Sequence, residues 1–211
     1  MYGELPQIET NTPGQTVSGF PVQIIEPPKT CLLRLPKTDE MMAYLSSQKS
    51  LYKDLGRRLG ESQDVPNPTA DLKLFNAIRL DKDGDEFDEA EALYAISIVT
   101  RHRIDSCDRD GQTYVIRLNT IFGETVHTVK IPTQKDSREY KNTVVKVRDL
   151  PHNMEERRFP PEAPCKLYDK VIVSSTGYAQ GTEVPPHHKR SAVIELVSTL
   201  STLDPSLDPN S

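Results

Sequence analysis

The stretch Leu33–Leu45, "LRLPKTDEMMAYL", runs from a strand-like alternation into Pro36 and then opens a helix. The stretch Val129–Tyr140, "VKIPTQKDSREY", does the same in the same order. Proline has no amide hydrogen for a ladder, so each strand must stop there. Thr38 then suits an N-cap, and Asp39 and Glu40 put negative charge at the positive end of the helix dipole.

The repeat extends beyond the junction. Arg34-Leu35-Pro36 becomes Lys130-Ile131-Pro132 and Tyr44 becomes Tyr140, both at a shift of 96. Lys73-Leu74-Phe75 matches Lys166-Leu167-Tyr168 at 93, and Val22 matches Val115 at 93. Ala95–Val99 resembles Val193–Val197 at 98. Such drift is what loop insertions produce, and the order never changes. The fold class expected is α+β, with two tandem copies of a β-hairpin plus three-helix unit between extended N- and C-terminal arms. The expected boundaries are an arm over 1–18, a first copy over 19–112, a second over 113–201 and a tail over 202–211.

Within the first copy, "GFPVQII" and "TCLLRL" read as strands around a proline-containing turn. Met41, Tyr44, Leu45, Gln48, Tyr52 and Leu55 form a helical stripe, and further helices are expected near 70–80 and 87–103. "DSCDRDGQ" reads as a polar turn between the copies. In the second copy, "TYVIRLN" and "TVHTVKI" are strands, and helices are expected over 134–147, 165–175 and 187–200. "RDLPHNMEERRFPPEAP" reads as a long loop.

Composition narrows the function. The net charge of −5 disfavours a nucleic-acid-coating role, which needs a dense basic surface. No apolar run approaches the roughly 20 residues of a membrane helix, and the N-terminus lacks a signal peptide's apolar core, so a soluble intracellular chain is expected. Cys31, Cys107 and Cys165 are widely spaced, which reads as free thiols rather than a zinc or redox pair. Residues 20–112 carry 13 basic and 17 acidic side chains and residues 113–204 carry 13 and 11, so opposite halves can attract a partner.

No motif here carries catalysis or a cofactor. "DKDGDEFDEAE", Asp81–Glu91, resembles a calcium loop, but has Glu86 and Ala92 where glycine and a bidentate glutamate are required. It reads as a solvated acidic turn at Asp81, Asp83 and Asp85, followed by a helix N-terminus that Asp88–Glu91 suit. His187-His188 are neighbours on an expected helix, which makes them a poor metal pair and a solvated surface. His102, His127 and His152 show no zinc spacing. "GRRLGES" lacks the Lys-Ser/Thr ending of a phosphate loop and reads as a helix C-terminus. Metal, cofactor and catalytic residues are therefore all expected to be none.

The hairpin ending in Arg34-x-Pro36, with Thr38, Asp39 and Glu40 behind it, resembles the small tail-assembly chaperones and related morphogenesis proteins of tailed bacteriophages. The second copy keeps Lys130, Pro132, Thr133 and Asp136. The resemblance covers about 25 residues per copy, and the tandem doubling departs from that family's single small domain. It implies a non-enzymatic protein of the phage tail or neck region that binds other virion or assembly proteins, or itself. Its place would be the host cytoplasm during assembly, or the virion. Leu5, Ile8 and Leu203 are the expected apolar anchors of the two arms. An intracellular adaptor or regulatory module without a phage link is the alternative, and an enzyme without a readable motif is a third.

Overall fold

The computed structural model describes residues 7–9, 16–24, 28–53, 61–81, 84–121, 123–152, 154–179 and 182–203. The chain forms an α+β fold with two compact units, neither of them continuous in sequence. One takes residues 1–40 and 67–101, the other 41–66 and 102–211.

In the first unit, β1 (Gln7–Glu9) pairs antiparallel with β2 (Thr16–Ser18), so this part of the expected arm is a short hairpin instead. A second hairpin joins β3 (Phe20–Ile24) to β4 (Lys29–Leu33), with Val22 opposite Cys31. Chain alternation turns Cys31 and Leu33 inward, where both are buried. Helix α1 (Thr38–Ser47) then carries the chain out of this unit, which resumes with α2 (Pro68–Ile78) and α3 (Glu89–Thr100). Pro68 sits in the first turn of α2, where its missing amide hydrogen costs nothing, and the Asn67 side chain accepts from the Ala70 amide. Leu74, Phe75 and Ile78 of α2 and Ala92, Ala95, Ile96 and Val99 of α3 form the core with the hairpin.

The acidic run supplies the helix start expected of Asp88–Glu91, but Asp81 and Asp85 are not left to solvent alone. Asp81 accepts from the Leu32 amide at 3.0 Å and pairs with Arg79 at 3.1 Å. Asp85 accepts from the Thr30 amide at 3.3 Å. Asp88 and Glu91 form a capping box on α3, and Glu91 pairs with Lys29 at 2.7 Å. These carboxylates satisfy β4 amides and helix donors that would otherwise lack partners.

The second unit holds two four-stranded antiparallel sheets. One runs in the order β12 (Ile172–Thr176), β9 (Gly123–Lys130), β8 (Thr113–Thr120), β7 (His102–Asp110). The polar turn expected over Ser106–Gly111 is mostly the strand β7, and only Gly111 and Gln112 turn. Gly177 ends the strand β12 at a φ of 91°, and a Cβ there would lie 2.4 Å from the Glu124 carbonyl. Only glycine meets both demands. Inward-facing Tyr114, Ile116, Leu118 and Val129 pack with α5 (Glu162–Val171) and α6 (Pro186–Leu203) into one core.

The other sheet corrects the sequence reading most. It runs β10 (Lys146–Leu150), β11 (Met154–Arg158), β5 (Lys49–Lys53), β6 (Glu61–Val65). The expected helix over Met41–Leu55 therefore stops at Ser47, and Tyr52 belongs to a strand. Likewise α4 (Gln134–Thr143) stops before the β-branched pair Val144-Val145, and the expected long loop is a hairpin. β5 pairs with β11 across more than a hundred residues, from Lys49 opposite Arg158 to Lys53 opposite Met154. Arg157 lies 3.6 Å from the centre of the Tyr52 ring, and Glu156 receives both Lys49 and Arg158. A pairing so distant in sequence is invisible to local periodicity, and it overrides the helical stripe.

Candidate functional site

The most chemically distinctive place lies in the second unit. His127 is in the middle of β9, Tyr168 on α5 and Tyr178 just beyond β12. His102 is the first residue of β7, and His187 and His188 are in the first turn of α6. The reason for this gathering is local. Pro185 and Pro186 start the helix, as proline does in a first turn, so the two histidines that follow are fixed at its N-terminus.

His187 and His188 are buried at 8% and 2% exposure, which overturns the expectation of a solvated surface. Their rings lie edge to face, 4.3 Å apart, and His102 stands 5.8 and 5.4 Å from them. A hydrogen-bonded chain leads inward from there. Tyr178 Oη lies 2.9 Å from His188 Nδ1 and 3.2 Å from His127 Nε2. His127 Nδ1 lies 2.7 Å from Tyr168 Oη, while Thr125 Oγ1 also meets Nε2 at 3.3 Å. Tyr168 has a further side-chain bond to Ser175. One consistent proton order has Tyr168 O–H donating to Ser175, His127 Nδ1–H to Tyr168, Tyr178 O–H to His127, and His188 Nδ1–H to Tyr178. Every buried donor in that order has an acceptor.

Burial keeps the rings neutral. Loss of solvation pushes His127 down to about 4, His187 to about 3 and His188 to about 2, with the neighbouring histidines adding to the last two. The N-terminal position on α6 acts in the same direction, since the helix dipole opposes a cation there. The same burial pushes the Tyr168 and Tyr178 hydroxyls up, Tyr178 to about 12. Cys31 and Cys165 are free thiols pushed up to about 11, which makes them poor nucleophiles at neutral pH.

The His127–Tyr168 bond can be tested directly. Tyr168→Phe leaves a buried imidazole donor unpaired and is expected to cost about 1–3 kcal/mol. Adding His127→Cys should recover part of that loss, because the lone imidazole goes as well. Urea unfolding of the four members of this cycle would show it, and strict additivity would mean the bond contributes nothing.

An open cleft of about 790 Å³ lies elsewhere in the same unit, bringing Gln48, Lys49, Asp64, Tyr140, Arg190 and Ile194 to one surface. It has no nucleophile beside a base among its described residues. Of the expected anchors, Leu5 lies outside the described residues. Ile8 is in β1, its backbone opposite Val17. Leu203 is the last residue of α6 and 66% exposed, so the helix runs past the point where the C-terminal tail was expected to begin. Among the described residues no helix is long and apolar enough to cross a membrane. No protein family, curated protein or solved structure matches the chain.

Proposed function

We propose that this is a non-enzymatic protein acting through protein–protein contacts in the assembly or structure of a tailed-phage particle, in the tail or neck region. In this reading it is built from two copies of one α+β unit. The copies are each a hairpin, a helix, a second hairpin and two helices, rather than the simpler hairpin and three helices.

Support for the doubling comes from burial. Residues 71–78 and 164–171 have the same order of buried, half-buried and exposed side chains at every position, at a shift of 93. Residues 95–99 and 192–196 do the same at 97, which pairs Ala95 with Ala192 and improves on the shift of 98. Val22 lies opposite Cys31, and Ile116 lies opposite His127, so Val22 answers to Ile116 rather than to Val115. A one-residue slip would turn the side chain to the wrong face.

The observation that carries the functional reading is the sheet β10-β11-β5-β6. Its central junction joins the second strand of one hairpin to the first strand of the other. What stays unpaired among the described residues is the first strand of one, β10, and the second strand of the other, β6. Those are the same two kinds of edge that meet in the junction. A second copy can therefore repeat the junction, β6 on β10. Such a contact is heterologous and generates rings or open stacks, as a tail or neck requires. Charge favours it, because β10 carries Lys146 and Arg148 on one face while β6 carries the exposed Asp64 and no basic residue.

Light scattering after size exclusion, over rising concentration, tests this. Oligomers larger than a dimer are expected. Lys146→Glu with Arg148→Glu should weaken them severalfold, since one cross-strand charge pair contributes roughly 0.2–1 kcal/mol and its reversal to like charges opposes pairing by a similar amount. Adding Asp64→Lys should restore association. A wild-type protein that stays monomeric at high concentration would refute the reading.

A further inference from the structure

We propose that His102, His187 and His188 form a binding site for a divalent late first-row transition metal, with zinc the best fit. The inference is independent of the assembly reading. Each ring offers one nitrogen, and the three nitrogens lie within 4.8 Å of one another. Zinc holds imidazole nitrogen at about 2.0–2.1 Å, so tetrahedral ligands stand about 3.3 Å apart.

Neighbouring residues within a helix diverge, which is why the pair looked unsuitable in sequence. The first turn is different. No earlier turn restricts the side-chain torsions there, and the two rings are already in edge contact at 4.3 Å. The second observation is His187 Nδ1, a buried ring nitrogen with no hydrogen-bond partner. Buried polar atoms in native proteins are nearly always satisfied, so an orphan nitrogen on a ring that clusters with two further imidazoles points to a ligand.

The surroundings also suit a metal. A ligating histidine generally donates its other ring N–H to an oxygen, which fixes tautomer and orientation. His188 has Tyr178 Oη at 2.9 Å from Nδ1, so donation there leaves the lone pair on Nε2. His102 has Ser191 Oγ at 2.5 Å from Nε2, which orients that ring. Three neutral imidazoles without a carboxylate or thiolate suit zinc, nickel or copper and reject calcium and magnesium. The fourth position would take water from the half-buried His102 side.

The test uses tag-free, chelator-stripped full chain titrated with cobalt(II) as a spectroscopic stand-in, then with zinc. One equivalent of cobalt should give the intense visible bands of tetrahedral coordination, and zinc should abolish them. Zinc at a hundredfold excess over its dissociation constant should raise the melting temperature by roughly 5–10 °C. His187→Ala and His102→Ala should each weaken binding at least tenfold, while His152→Ala, in the turn after β10, should not. Absence of tetrahedral bands and of any melting shift overturns the site, as does unchanged affinity in both cluster variants. Should those variants fail to fold, X-ray absorption of the zinc-loaded wild type decides the matter: three imidazole ligands support the site and fewer overturn it.

Discussion

Lowering the pH from 7 to 5.5, in the presence of a chelator, is expected to destabilise the second unit by about 4 kcal/mol. The sign follows from depressed histidines. His127, His187 and His188 are held at about 4, 3 and 2 in the fold, against an ordinary value of 6.5. Between those limits the unfolded chain binds protons that the folded chain refuses. Stability is therefore full above pH 6.5 and falls as pH drops through that value. One unit below, each group has cost about 1.4 kcal/mol, hence about 4 for the three. That is a large share of the roughly 5–15 kcal/mol that holds a domain together. In the second unit, Lys49 and Arg158 hold Glu156 below the usual carboxylate range, so that group keeps its charge across the window. All five histidines fall at or after residue 102, so the first unit serves as an internal control. Hydrogen exchange at pH 7 and 5.5, corrected for intrinsic rates, should show protection lost in β8, β9 and α6 and kept in α2 and α3. Equal loss in both units would mean that the buried imidazoles are not the cause.

Phe75→Ala is expected to destabilise the first unit by about 3–5 kcal/mol. The ring is 1% exposed and lies 5.0 Å from Phe87. The Arg79 guanidinium rests 5.6 Å from Phe75 and 5.1 Å from Phe87, and its Nη2 is buried without a hydrogen-bond acceptor. Removing Phe75 thus opens a cavity and also strips one of the two aromatic faces that compensate a buried cation. Tyr94→Ala on the neighbouring helix provides the contrast, since that ring is 49% exposed and should cost no more than about 0.5 kcal/mol. Chemical denaturation of both variants, followed by exchange at α2 and α3 amides, checks the difference. A loss below about 1.5 kcal/mol for Phe75→Ala would show a core loose enough to collapse around the gap.

Local chemistry in the sequence was enough to place several elements. Strands β4 and β9 both end before their prolines, Pro36 and Pro132, Thr133 caps α4 in a box with Asp136, and Asp88 caps α3 in a box with Glu91. The stretches "TYVIRLN" and "TVHTVKI" are the strands expected of them, and they carry Tyr114, Ile116, Leu118 and Val129 into the core. These signals work because a cap, a proline or a two-residue alternation acts within a few residues of itself.

The failures around β5 and the histidines depended on partners far along the chain. Tyr52 fits a helical stripe in isolation and becomes a strand residue because Glu155 lies opposite it. The long loop after α4 becomes a hairpin because β5 extends its ladder. The histidines show the same limit most sharply. The sequence by itself determined that His187 and His188 begin a helix behind two prolines. Only the tertiary structure decided that this helix end is buried, with His102 brought beside it from 85 residues away and Tyr178 positioned to orient His188. Burial and proximity are properties of long-range packing, and no local pattern encodes which distant residue will remove the water from a ring.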